Sequence, residues 1–159
     1  MTSHTGRATR RVGMLIVMLV VAMVALACGT ASASHLGDGK KHKILYQLND
    51  PGVDKTRFVL NNIGNHVDGV GGWKNIEALE LVVFGPALRH FVTKDMDSVI
   101  KRLLAELQAG GLVLGVCGNT MKGFNLTLGE LPGGAKELPQ GGVVRVMELQ
   151  EQGYSYIRP

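Results

Sequence analysis

Apolar and polar positions along the chain predict strands that alternate with helices. Residues 43 to 49, Lys-Ile-Leu-Tyr-Gln-Leu-Asn, form a short run rich in β-forming side chains. The dipeptide Asp50-Pro51 then predicts a helix start, with Asp50 as the N-cap and Pro51 in the first turn. The following segment has apolar residues at helical spacing, and glycines between positions 69 and 72 end it. These apolar residues are Phe58, Val59, Ile63 and Val67.

The next two apolar segments predict a second strand and the clearest helix of the chain. Residues 76 to 84 are dense in Leu and Val, as in a strand covered on both faces, and the run stops at Gly85-Pro86. Residues 93 to 108 carry one apolar stripe, and Gly110-Gly111 supplies the C-terminal stop. The stripe consists of Met96, Val99, Ile100, Leu103, Leu104 and Leu107.

A third buried strand is predicted from Leu112 to Val116, and it leads directly into Cys117. Gly118-Asn119-Thr120 then turns into a short helix. Residues 131 to 142 are rich in Pro and Gly, so this segment is predicted to be a loop.

The last segment, residues 142 to 152, fits a helix or a strand, and we favour a helix with Gly153 as its C-terminal cap. Residues 154 to 158 are predicted to form a final strand. Strands separated by helices need crossover connections. We therefore predict an α/β fold with a mainly parallel sheet and helices on both faces.

The N-terminal segment has the three-part layout of an export signal. Arg7, Arg10 and Arg11 precede an uncharged apolar run over residues 12 to 28, and small residues follow up to position 34. We expect residues 1 to 33 to be a signal peptide, cleaved after Ala31-Ser32-Ala33. Residues 34 to 42 are then a flexible linker and residues 43 to 159 the folded domain.

Two other fates of this segment remain open. The sequence Ala25-Leu-Ala-Cys28 resembles a lipoprotein box, which would leave a lipid anchor on Cys28. The apolar run is also near the lower length limit for an uncleaved membrane anchor. The expected location is periplasmic or secreted, with the anchored lipoprotein as the alternative.

Charge changes the picture of possible partners. The whole chain has a pI near 9.2, but residues 34 to 159 hold 14 basic against 13 acidic residues, a net charge of +1. Such a chain has no electrostatic basis for binding nucleic acid. We interpret the basic cluster Lys40-Lys41-His42-Lys43 as part of a solvated linker.

Cys117 is the sharpest candidate for chemistry. Amide groups at a helix N-terminus stabilise the reactive thiolate, and this cysteine lies just before a predicted helix. Cysteine is also among the most buried residue types, so a purely structural role remains open. After signal cleavage Cys117 has no second cysteine with which to form an intrachain disulfide.

Other polar residues are expected beside Cys117, because ligands of parallel sheets gather at the carboxyl ends of strands. Asn119 and Thr120 would orient the sulfur or bind an anion, although helix capping is the simpler role for both. Arg89 and His90 follow the second strand and would lower the thiol pKa if they faced it.

Two further residues complete the candidate ligand-binding set. Asn49 and Asp50 end the first strand and are candidates for the same carboxyl edge, although capping alone would explain Asp50. His66 has no second ligand at suitable spacing, so no metal site is expected, and no cofactor is needed.

Four separated segments resemble DsrE/DsrF-like proteins. They are Leu48-Asn-Asp-Pro51, Lys55-Thr-Arg-Phe-Val-Leu-Asn-Asn62, Gly115-Val-Cys-Gly-Asn-Thr-Met121 and Leu149-Gln-Glu-Gln-Gly-Tyr-Ser-Tyr-Ile-Arg-Pro159. The resemblance covers residues 43 to 159 and implies an α/β sandwich that forms homotrimers or homohexamers. It also implies sulfur handling, with Cys117 at the position of the family's persulfide-forming cysteine and with sulfur donor and acceptor proteins as partners.

Two functions follow as hypotheses. The first is an exported sulfur carrier or sulfurtransferase-like protein that holds sulfur as a persulfide on Cys117. The alternative is a non-enzymatic, oligomeric module that binds a small ligand and in which Cys117 is structural. A thiol redox protein is a third option, but it would need a partner to supply the resolving cysteine.

Overall fold

A five-stranded parallel sheet forms the centre of the chain in the computed structural model, which describes residues 39–159. Four α-helices connect or flank the strands within this range. The strands are β1 (His42–Leu48), β2 (Ile76–Val83), β3 (Leu112–Cys117), β4 (Ala135–Leu138) and β5 (Ser155–Ile157). The helices are α1 (Val53–Gly69), α2 (Ser98–Gly110), α3 (Gly118–Gly123) and α4 (Gly142–Glu151).

The sheet order is β4-β3-β2-β1-β5, and every neighbouring pair is parallel. Alternate strand residues point to opposite faces. One face carries the larger core, in which the strands pack against α1 and α2. The strand residues of this core include Ile44, Tyr46, Leu48, Leu79, Leu81, Val83, Leu112, Leu114 and Val116.

The opposite face is covered by α4. A smaller buried cluster forms there from Leu45, Val82, Leu138 and Leu149. Glu80 of β2 also lies on this side, where Arg145 of α4 binds its carboxylate through two hydrogen bonds of 2.9 and 2.7 Å. The predicted fold class, an α/β fold with a parallel sheet and helices on both faces, is therefore confirmed.

Both long helices begin later than the sequence pattern predicted. Helix α1 has Gly52 as its N-cap, with no side-chain cap, and Asp50 instead accepts a hydrogen bond of 2.8 Å from the Gly52 amide. Asp50 is thus not the N-cap, because it lies two residues too early and closes a local turn. Helix α2 begins at Ser98, where the Asp97 side chain caps the amides of Val99 and Ile100.

The apolar stripes are confirmed in their centres and wrong at their edges. Val59, Ile63 and Val67 of α1 are buried, but Phe58 is half exposed. In α2 the buried residues are Ile100, Leu103, Leu104 and Leu107. Met96 precedes that helix, because residues 93 to 95 form a separate 3₁₀ turn.

The predicted loop from Leu131 to Gly142 is wrong, because it contains β4. This four-residue strand has the sequence Ala-Lys-Glu-Leu and lies at the edge of the sheet, with only Leu138 buried. A half-exposed edge strand needs few apolar residues, so the hydrophobic pattern did not show it. The helical interpretation of residues 142 to 152 is confirmed, and β5 forms within the predicted last strand.

The first regular element of the described chain begins at His42. Residues 39 to 41 have no regular structure, whereas His42, assigned to the linker, is already the first residue of β1. The predicted signal peptide, its cleavage site and Cys28 lie outside the described residues. Within residues 39–159, no helix is both long enough and apolar enough to cross a bilayer.

Candidate functional site

Cys117 is the last residue of β3 and lies on the side of the sheet that α4 covers. This follows from strand alternation, since Leu112, Leu114 and Val116 belong to the core on the other face. The residue is 6% exposed and is a free thiol. Its neighbour across the sheet edge is Leu138, which pairs with it in register.

The thiol of Cys117 is surrounded by hydrogen-bond donors. Burial is the largest single influence and acts to raise its pKa. The hydroxyl of Thr120 and the backbone amides of Gly142, Thr120 and Asn119 act in the opposite direction, and together they outweigh burial. The pKa of Cys117 is therefore lowered from its ordinary value, and the thiolate is favoured by these donors.

Thr120 joins the ends of two strands. Its hydroxyl oxygen accepts a hydrogen bond of 2.9 Å from the amide of Gly85, which directly follows β2 and Phe84. With this amide as donor, the hydroxyl keeps its own proton for the sulfur of Cys117. The segments after β2 and β3 thus meet at the thiol, as their positions at the carboxyl edge predicted.

Helix capping is not the role of Asn119 or Thr120. The N-cap of α3 is Cys117, so neither Asn119 nor Thr120 occupies the capping position. The hydroxyl of Thr120 instead accepts the hydrogen bond from Gly85. The side-chain amide of Asn119 packs against Gly141, where a Cβ would stand 3.0 Å from its nitrogen. Only the backbone of Asn119 therefore acts on the sulfur.

Sequence reasoning missed Gly142, whose amide brings a second helix N-terminus to the thiol. This glycine is buried at the start of α4, and a Cβ there would stand 2.8 Å from the ring of Phe84. Any larger residue would push α4 away from the sheet edge. The glycine pair at positions 141 and 142 is evident in the sequence, but the pattern indicated only the end of a loop.

Asn49 and Asp50 lie further along the same edge, in a separate pocket of about 240 Å³. The order of the sheet places β1 two strands from β3, which corresponds to a separation of about 10 Å. Arg158, just after β5, donates a hydrogen bond of 3.2 Å to the side-chain oxygen of Asn49, and Lys55 also lines this pocket. The structure therefore does not bring Asn49 and Asp50 to Cys117.

Arg89 and His90 end the 3₁₀ helix Gly85–Phe91 and make contacts of their own. The guanidinium of Arg89 lies 4.0 Å from the ring centre of Phe124, a cation–π geometry. The ring of His90 forms a hydrogen bond of 2.7 Å with the hydroxyl of Thr56, a buried residue of α1. Within residues 39–159, neither side chain is hydrogen-bonded or ion-paired to Cys117.

His66 of α1 is paired through its ring with the hydroxyl group of Tyr46. The two side chains form a hydrogen bond of 2.9 Å. Burial, followed by the nearby His42, lowers the pKa of His66. In the described part of the chain, no three His, Cys, Asp or Glu side chains converge as a metal site would require.

Comparison with known proteins supports the fold and gives no information on the chemistry of the site. No protein-family model matches this chain, and no curated protein sequence does. Among solved structures, the chain is similar to MTH1491 from Methanobacterium thermoautotrophicum, a protein of unknown function. The TM-score is 0.66 at 18% sequence identity, over 75% of this chain and 100% of the other. This likeness supports the α/β fold.

Proposed function

We propose that this protein is an exported sulfur carrier, or a sulfurtransferase-like protein, that holds sulfur as a persulfide on Cys117. One observation carries the proposal: four donors act on a single sulfur at the carboxyl edge of the sheet, and the pKa of that thiol is lowered although it is buried. The resemblance to DsrE/DsrF-like proteins suggests the same residue.

The proposed chemistry is a transfer of one sulfur atom from a donor persulfide. The Cys117 thiolate attacks the outer sulfur of R–S–SH, so a new S–S bond forms on Cys117 and the donor's S–S bond breaks. The products are the Cys117 persulfide and the donor thiolate R–S⁻, so charge and atoms balance with no net oxidation.

Persulfide loading is tested on the full chain by intact mass spectrometry after incubation with a persulfide donor. We expect the wild type to gain one sulfur atom. The Cys28→Ser variant should load equally, because it leaves the β3 end unchanged, whereas Cys117→Ser should not load. Equal loading of Cys117→Ser and the wild type, or no loading of either under conditions that load a known carrier, would contradict the proposal.

A second candidate is the small-ligand-binding module with a structural cysteine. The pocket beside Asn49 and Asp50 favours it, because Lys55 and Arg158 offer cationic groups at the same edge of the sheet without involving Cys117. In this case Cys117→Ala would retain biological activity, and Arg158→Gln would lose it. The sulfur-carrier proposal predicts the opposite, namely that Cys117→Ala loses biological activity and Arg158→Gln retains it.

We also propose that the chain works as a homo-oligomer, a trimer or a hexamer as the resemblance implies. Helix α4 supports self-association, because Val143, Val144 and Met147 are exposed apolar residues on one short helix. Analytical ultracentrifugation of the wild type and of Val143→Glu measures this directly. A monomeric wild type would end this part of the proposal and leave the persulfide test unaffected.

The export route belongs to the proposal as well. If the protein is delivered to the periplasm or secreted, its sulfur donors and acceptors must lie outside the cytoplasm as well. N-terminal sequencing of the protein recovered from that compartment distinguishes cleavage after Ala33 from a start at lipidated Cys28. An uncleaved N-terminus in the cytoplasm would contradict export.

A further inference from the structure

A pocket of about 260 Å³ lies beside α2, the helix that packs on the sheet face opposite to the Cys117 side chain. One flank of α2 forms its floor, from Lys101 to Gln108. The walls come from the turn before α2 and from the loop before β4. The lining residues of these two segments are Thr93, Met96, Pro132 and Gly133.

The floor of the pocket is apolar in its middle and polar at both ends. Lys101 and Gln108 are seven residues apart, which is about two helical turns and about 10 Å along the axis of α2. The apolar lining residues are Met96, Leu104, Ala105 and Pro132. The pocket therefore offers an apolar surface with a cation at one end and an amide group at the other.

Hydrogen bonds hold the walls of this pocket in place. The hydroxyl of Thr93 donates to the carbonyl of Glu130 at 2.9 Å and so joins the turn before α2 to the loop before β4. The side-chain amide of Gln108 donates to the carbonyl of Gly133 at 3.2 Å and joins the same loop to the helix. The cavity is therefore formed without a ligand, which lowers the entropic cost of binding one.

The charge of the pocket selects the kind of ligand that fits it. Among the lining residues, which all fall within positions 93 to 133, Lys101 is the one that carries a charge. Across residues 39 to 159, no carboxylate lies within ion-pair distance of its ammonium group. Asp97, one turn earlier in the chain, is paired with Arg57 at 2.7 Å. A ligand that complements this pocket is therefore an anion with an apolar body.

We propose that this pocket binds a small aromatic carboxylate, with the carboxylate at Lys101 and the ring over Leu104 and Ala105. A cavity of about 150 Å³ accommodates benzene, so the larger volume here has room for one ring and a short acidic side chain. Met96 favours an aromatic ring, because thioether sulfur and aromatic rings attract each other. A mostly apolar lining with a few polar groups is typical of small-molecule sites.

The test measures the binding of 3-phenylpropionate to the full chain by ligand-detected saturation-transfer NMR. The neutral comparison is 3-phenylpropanol, which has the same ring and chain without the charge. Lys101→Met removes the ammonium group, and its matched control is Lys94→Met, at an exposed lysine that does not line the pocket. Ala105→Phe fills the floor, and its control is Ala109→Phe, at an exposed position of the same helix outside the pocket.

The proposal predicts a different response for each variant. We expect 3-phenylpropionate to bind the wild type and Lys94→Met alike. It should bind Lys101→Met about fivefold more weakly, the factor that corresponds to about 1 kcal/mol for an exposed ion pair. Because 3-phenylpropanol has no charge, it should bind the wild type and Lys101→Met equally. Ala105→Phe should abolish the binding of both compounds, and Ala109→Phe should retain it.

Three results would overturn the proposal. The first is a failure of 3-phenylpropionate to bind the wild type saturably. The second is binding that persists in Ala105→Phe, since the compound would then lie elsewhere on the chain. The third is an equal loss of affinity in Lys101→Met and Lys94→Met, which would indicate only the overall charge of the protein.

Discussion

Replacing Arg145 by methionine tests the contact that holds α4 against the sheet. Arg145 binds both carboxylate oxygens of Glu80, whose side chain is 6% exposed, and Arg145 itself is 26% exposed. The nearer carboxylate oxygen packs over Gly115 of the next strand, where a Cβ would stand only 2.8 Å away. The substitution therefore leaves a buried carboxylate without its cationic partner.

The magnitude follows from this burial. Removing one partner of a fully buried ion pair costs about 3–5 kcal/mol, and exposed pairs contribute less than about 1 kcal/mol. With Arg145 a quarter exposed, we expect Arg145→Met to lower the free energy of unfolding by about 2–4 kcal/mol. The matched control is Arg102→Met, which breaks the pair with Glu106, where both side chains are 59% exposed. Its expected cost is below about 1 kcal/mol.

Urea unfolding followed by circular dichroism gives both free energies, and the double variant Glu80→Met/Arg145→Met completes the cycle. We expect the double variant to recover most of the loss, because no charge is then left buried. The rate of Cys117 alkylation in the native protein is the second readout, since α4 carries the Gly142 amide to the thiol. Equal losses for Arg145→Met and Arg102→Met would refute this reasoning.

Four further predictions each concern a single substitution. Thr120→Val removes the hydroxyl that lowers the pKa of Cys117, so the pH at which alkylation of the thiol reaches half its maximal rate should rise. An unchanged pH profile would contradict the role of Thr120 as a hydrogen-bond donor to the sulfur. The hydrogen bond from Arg57, followed by that from the Ile100 amide, lowers the pKa of Asp97 from 3.8 to about 2. The ionised carboxylate therefore stabilises the fold fully above about pH 5, and this stabilisation is lost progressively as the pH falls to about 1. Asp97→Asn keeps a capping oxygen but should make the free energy of unfolding, measured in urea, less dependent on pH in that window. Gly64→Ala, in α1 with open space around it, should stabilise by about 0.5–1 kcal/mol in urea unfolding, whereas Gly142→Ala should destabilise and slow alkylation of Cys117 because of Phe84.

Much of the fold could be predicted from residue patterns alone, because it depends on local periodicity. The dense apolar runs at β2 and β3 and the stripe of α2 identified buried strands and a core helix, and the connection rules for parallel strands gave the architecture. The errors arose where a short element has little periodicity. Strand β4 was missed because four residues at an exposed edge, rich in charge, resemble a loop.

The helix starts show a related limit, because a capping residue is defined by backbone geometry. Asp50 before Pro51 matches the residues preferred at an N-cap, but a turn closed by the Asp50 side chain comes first, and Gly52 is the N-cap of α1. At α2 the cap was Asp97, inside a segment that had been assigned to the helix as a whole. Residue preference narrowed each boundary to a few positions, and tertiary packing chose among them.

The candidate site was predictable only as far as it is local. Cys117, Asn119 and Thr120 are neighbours in sequence, and strand topology correctly predicted that the Gly85 segment would join them. Arg89, His90, Asn49 and Asp50 follow strands at the same edge, but each is bound elsewhere, because an edge about 20 Å long has room for several separate environments. Strand topology predicts the edge of the sheet at which a residue lies, but it does not predict which side chain that residue contacts there.

The thiol of Cys117 depends on a helix that lies 25 residues further along the chain. Helix α3 alone has six residues, which is little for stabilising an anion, and its N-cap is the cysteine itself. The start of α4 adds the Gly142 amide from a longer helix, and α4 stays there through Arg145, Glu80 and the close approach to Phe84. If that helix governs the thiolate, a substitution at Arg145, which lies one turn beyond the thiol's contacts, should change reactivity in parallel with stability. A local cysteine motif would predict no such coupling, so the Arg145 variant decides between a site built by residues 117 to 120 and one built by the packing of two helices.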